Sequence, residues 1–186
     1  MSRAVTTGLF FAALFAIIKC LLFLTEKHEP WYSFIPLLNI GLVMLACGIG
    51  MWYTRDTKGN FPTSTLDRIR AGMRSGMVYA LFTALFVFVY YKSIDPMFTY
   101  NRIKERVAVA EKLEFSKIQK DNPEKYGNKS RNDFIQDERE QAELWYSPFM
   151  NATLTLTGLM VCSLFYSIIL SFFFKLLHSK RSLKPR

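Results

Sequence analysis

Four long apolar segments, Ala4–Thr25, Ser33–Tyr53, Met77–Lys92 and Phe149–Phe174, constrain this chain more than any motif in it. Three have about 20 or more mostly apolar residues, enough at ~1.5 Å per residue to cross a hydrocarbon core ~30 Å thick. The third is short, but it extends backwards through Arg68–Gly76 and can then span as well. The expected fold is an all-α integral membrane protein with four transmembrane helices and an extracytoplasmic helical hairpin between spans three and four. Residues 1–92 would hold spans one to three with a short basic cytoplasmic loop at 54–76. Residues 93–148 would form the hairpin, and 149–186 the fourth span with a basic cytoplasmic tail.

Charge orients these spans. The formal net charge is +9. The stretches Met1–Arg3, Thr54–Gly76 and Lys175–Arg186 carry 11 basic residues against 2 acidic ones, whereas Glu26–Tyr32 and Lys92–Pro148 carry 12 against 13. Lys and Arg near span ends stay on the cytoplasmic side, so both termini and the 54–76 loop are expected there. The basic surplus then reads as topology plus attraction to anionic headgroups of the cytoplasmic leaflet, and no nucleic acid is expected as a partner. No small-x-small cleavage site follows the first span, which reads as an uncleaved anchor.

Capping signals mark the connections. Ser33 can cap the second span, with Pro36 in its first turn. Asp56–Pro62 is turn-rich, and Thr63–Thr65 can cap a helix carrying Arg68, Arg70 and Arg74. These arginines are expected at headgroup level, as anchors or as a site for one anionic lipid. Asp95-Pro96 starts a water-exposed helix to about Lys120, with Ile103, Val107, Ala110, Leu113 and Ile118 on one face. Asn122-Pro123 and Gly127-Asn128 break it. A second helix over roughly Asn132–Trp145 shows Ile135, Ala142, Trp145 and Tyr146 on one side. The pairs Trp31-Tyr32, Trp52-Tyr53, Tyr90-Tyr91 and Trp145-Tyr146 stand at span ends, as an interfacial aromatic belt would.

The strongest local pattern is small residues at intervals of four: Gly8, Ala12, Ala16 and Cys20; Gly72, Gly76, Ala80 and Ala84; Ser163, Ser167 and Ser171. Lipid gives no hydrophobic drive for helix association, so such ribbons act by letting backbones approach. They are expected to pack within the bundle, and also against a second copy or another membrane protein. Lys19 is the one ionisable residue inside the core of a span. It either snorkels to the outer surface or joins Asn39, Thr155 and Asn151 in a polar outer-leaflet layer. Cys20, Cys47 and Cys162 show no metal or disulfide spacing, and no cofactor or metal is expected. The two histidines, His28 and His178, fall on opposite sides of the membrane, and no catalytic motif appears, so an enzyme is not expected.

Two spans, a basic turn, a third span running into Tyr90-Tyr91-Lys92-Ser93-Ile94-Asp95-Pro96-Met97-Phe98, a charged hairpin, and a last span beginning Tyr146-Ser147-Pro148-Phe149 form a combined pattern. In it the chain resembles the bacterial four-span membrane proteins catalogued as domain of unknown function 4199. The resemblance covers nearly the whole chain and implies a bacterial inner membrane and this topology. It implies no activity and carries no functional residue. The expected function is therefore a non-enzymatic accessory or assembly subunit that packs through its small-residue faces. The alternative is a small oligomeric transporter or channel with a polar site around Lys19.

Overall fold

The computed structural model describes residues 3–25, 34–53 and 64–182, with side chains up to Leu176. Ser33, Trp31, Tyr32, the Asp56–Pro62 turn and Thr63 lie outside the described residues. The long helices are α1 (Arg3–Leu24), α2 (Phe34–Trp52), α3 (Thr65–Val89) and α8 (Pro148–Ser182). Between α3 and α8 come a π-helical turn (Tyr90–Ile94), α4 (Pro96–Lys112), α5 (Phe115–Asp121), α6 (Pro123–Tyr126) and α7 (Arg131–Trp145). No strand occurs among the described residues. Four of the helices are long and apolar enough to cross a membrane. The third expected span begins at Thr65, a full three turns before Met77.

The chain forms two compact units, Met1–Phe86 with Leu154–Arg186, and Val87–Thr153. In the first unit, α3 is the hub that the other three long helices touch. A Cβ on Gly8 of α1 would strike the Ser75 carbonyl oxygen and lie 3.0 Å from the Val78 Cβ. A Cβ on Gly50 of α2 would lie 2.6 Å from the Ser75 Cβ, and one on Gly76 of α3 only 2.7 Å from the Cys47 Sγ. Close approach of this kind gives helices in lipid their van der Waals contact. The outer faces are apolar, with Phe10, Leu85, Phe165 and Ile169 more than half exposed, as side chains turned to acyl chains should be.

The second unit is built on the pairing of α4 with α7. Asp95 caps α4 by accepting a 3.1 Å bond from Phe98 N–H, with Pro96 at the first helical position. Sequence periodicity runs α4 to about Lys120, but the helix stops at Leu113, whose backbone is extended, and α5 follows as a separate turn. The core is Ala110, Tyr126 and Phe134, with Phe115, Ile118 and Ile135 packed against it. Leu113 and Trp145, expected on the buried faces, are exposed instead, while Phe134, not expected there, is the central ring. It meets Tyr126 edge-on at 5.4 Å and Phe115 at 5.8 Å. Phe134→Ala should cost about 3–5 kcal/mol, a large share of what so small a unit can muster. Hydrogen exchange across α4–α7 would read that loss.

Ser130 and Asp133 form a capping box on α7. Ser130 Oγ accepts from Asp133 N–H at 3.2 Å, and the Asp133 carboxylate accepts from Ser130 N–H at 2.8 Å. The bond from Ser130 N–H and, after it, one from the Ser130 hydroxyl at 2.8 Å hold the Asp133 carboxyl below the ordinary carboxylate range. A lowered folded pKa means the cap's support is present above about pH 4, the unfolded value, and is lost as pH falls through the lower folded one. Amide exchange in the first turn of α7 should rise across that acid window, and Asp133→Asn should abolish the pH dependence.

Candidate functional site

The polar groups of the first unit lie along α3. Ser75, Tyr79 and Thr83 are four residues apart, each one position before Gly76, Ala80 and Ala84, so a polar and a small-residue stripe run side by side. Ser75, Tyr79 and Thr83 have no exposed surface. The Tyr79 hydroxyl donates to the Asn39 side-chain oxygen and lies 3.3 Å from the Asn39 carbonyl. That ties α2 to α3. Among the described residues, Ser75 Oγ, Thr83 Oγ1 and Ser167 Oγ have no hydrogen-bond partner. The same four-residue spacing that betrays the glycines also carries this stripe, so the sequence held the signal.

The serines of α8 face the glycines of α3. Ser163 sits on Gly76 and against Cys47, whose Sγ is 3.6 Å from its hydroxyl. One turn on, Ser167 Oγ would be 2.7 Å from a Cβ at Gly72. Another turn on, Arg68 Nε donates to Ser171 Oγ at 3.2 Å, and Ser171 donates to the Thr65 carbonyl. Each four-residue step back along α8 meets one forward along α3. Gly8, Ala12, Gly72, Gly76, Ala80, Ala84, Ser163, Ser167 and Ser171 are all buried within this one chain, and Ala16 is half-buried. The α3 and α8 ribbons are thus occupied internally and are not offered to a neighbour.

Arg68 requires a correction. It was expected beside Arg70 and Arg74 at headgroup level, but its side chain is only 5 % exposed. Nη2 donates to Thr65 Oγ1 at 3.1 Å, and together with Ser171 this draws the guanidinium inside the helix bundle. Arg70 and Arg74 are exposed, Arg70 lying 3.6 Å from the Asp67 carboxylate. Tyr90 and Tyr91 are likewise buried rather than interfacial, and Tyr91 stacks on Phe98 at 5.0 Å.

Lys19 is 5 % exposed. It is packed among the helices and not extended along the surface. Asn39 and Thr155 line one groove of about 290 Å³ between α2 and α8, bordered by Pro36, Ile40 and Gly158. Asn151 belongs to the second unit, where its amide donates to the Tyr146 and Ser147 carbonyls, each at 3.1 Å, at the start of α8. Its hydrogen-bonding capacity is spent on that turn. The chemistry available is that of hydroxyls, an amide and two buried cations. Among the described residues, no group of three or more His, Cys, Asp and Glu is placed to hold a metal ion.

A family model described as a protein of unknown function, DUF4199, matches residues 4–176. The chain belongs to the DUF4199 family. The match runs from the second residue of α1 to Leu176 of α8, so both compact units are part of the DUF4199 domain. No curated protein matches the chain, and no solved structure matches it.

Proposed function

We propose that this DUF4199 protein is a non-enzymatic, multi-pass subunit of a bacterial inner membrane, anchored by its four helices and engaging a partner through the α4–α7 pair. Both termini would be cytoplasmic and α4–α7 extracytoplasmic, following the basic surplus at the terminal side. The supporting observation is how contact surface is used. The small-residue ribbons are consumed inside the bundle, whereas α4 and α7 form a folded, charge-covered pair with its own core. Arg106 of α4 bonds Glu138 of α7 across that pair at 3.0 Å, and Lys129, just before α7, bonds Asp137.

Photo-crosslinking in native membranes tests this. A photoreactive residue at exposed Lys104 or Glu140 should capture a discrete protein, a second copy or a foreign subunit, and one at lipid-facing Phe165 should not. Phe134→Ala should abolish the capture while leaving membrane insertion intact. Capture at Phe165 alone would move the contact into the bilayer and overturn the assignment.

The burial of Lys19 favours a second reading, a small transporter or channel for an anionic solute. An ionisable group held in the membrane interior is costly, and proteins keep such groups for ion and substrate pathways. Lys19→Leu should leave folding and crosslinking intact. Loss of anion flux from proteoliposomes in that variant would select the transport reading, and unchanged flux would reject it.

A further inference from the structure

A groove of about 490 Å³ on the first unit lies between the start of α1 and the end of α2. Its lining changes character along its length. Arg3, Thr6 and Tyr53 are polar or charged, while Phe10, Phe11 and Ile49 are apolar. Arg3 to Phe10 is seven residues, or roughly 10 Å along the helix, and Ile49 lies one turn inward from Tyr53. The polar end is therefore the terminal end of both helices, and the apolar end is toward mid-bundle. Thr7 belongs to the groove too, but its hydroxyl donates to the Arg3 carbonyl at 2.9 Å and is already engaged.

The terminal end of the bundle is also its cationic end. Gly8 of α1 meets Ser75 of α3, and counting back five residues on each helix puts Arg3 and Arg70 at one level, with Arg74 a turn further in. Arg3, Arg70 and Arg74 are all exposed there. A tapering groove with aromatic walls inside and a cation at its mouth matches an acyl chain joined to an anionic headgroup.

We propose that this groove is a binding site for one anionic phospholipid. Its phosphate lies at Arg3, with Thr6 and the Tyr53 hydroxyl in reach, and an acyl chain runs along Phe10, Phe11 and Ile49. The site is separate from the α4–α7 contact face and stands whether or not that face has a partner. Membrane insertion is the one premise it needs.

Native mass spectrometry of the full chain released from mixed bilayers of phosphatidylglycerol and phosphatidylcholine with matched acyl chains is the test. The expected result is one retained lipid, with phosphatidylglycerol preferred by about fivefold, the ratio expected for one arginine at a lipid surface. Arg3→Gln should bring the preference close to one while the lipid is still retained. Ile49→Trp should displace either lipid by filling the apolar end. Equal retention of the two lipids by the unmodified chain would overturn the proposal. So would a chain that retains no lipid, or an Ile49→Trp variant that keeps its lipid.

Discussion

Gly76→Leu should prevent the bundle from forming. Gly76 stands where α2, α3 and α8 cross, and even a single Cβ there would collide with the Ser163 hydroxyl and come within 2.7 Å of the Cys47 sulfur. A methyl group alone overpacks such a site by about 1–3 kcal/mol, and a leucine adds three more carbons with nowhere to go. Gly158 and Gly41 are the internal controls. Nothing lies within 4 Å of a Cβ at either position. Leucine there should be tolerated, and alanine should be neutral or stabilising by up to about 1 kcal/mol, because glycine is the poorer helix former. Thermal unfolding of the three variants in one detergent, followed by size-exclusion chromatography, would separate them. Survival of Gly76→Leu at wild-type melting temperature would mean that the three-helix crossing is not as described.

The second large effect is expected at Ser171. Its hydroxyl accepts from a buried guanidinium, which also bonds Thr65 Oγ1, and donates onward to the Thr65 carbonyl, so one small side chain joins α8 to α3 at two points. Ser171→Ala deletes the hydroxyl alone and removes both bonds. Bonds to charged groups are worth about 1.5–3 kcal/mol, so the variant should lose roughly 2 kcal/mol. Arg68→Met in the same background should recover part of that loss, because the donor that Ser171 served goes with it. A double-mutant cycle on unfolding midpoints reads the coupling directly, and additive losses would show that the two side chains do not act together.

These residues also mark how far sequence alone reaches. The four spans, the Asp95-Pro96 cap and the four-residue ribbons follow from hydropathy, turn chemistry and spacing, all of which are local. Arg68 shows where that stops. At the start of a span, a lone arginine looks the same whether it faces headgroups or a serine 103 positions away, and only the fold brings Ser171 to it. Lys19 is the opposite case: eleven residues from Gly8, about three turns, it shares the small-residue face of α1, and it is buried. The break after Lys112 escaped because the apolar positions on either side continue one helical period. Conversely, Ser130 with Asp133 three residues later was a readable capping signal that fixes the start of α7. The Ser75–Tyr79–Thr83 stripe was equally readable, hidden only by the more conspicuous glycines beside it.

The pairing of α3 with α8 has a built-in ambiguity. Small residues recur every four positions on both helices, so sliding one past the other by a single rung, about 6 Å, would again set small against small. Ser167 would then face Gly76, while Ser163 would face Ala80, whose Cβ is the group that Gly76 leaves out at this crossing. The terminal rung differs as well: Ser171 would move opposite Gly72, and the Arg68 guanidinium would lose the Ser171 hydroxyl. The buried arginine thus works as a vernier mark on a uniform scale. With Ala80, it tells the two helices which of several similar alignments is the right one.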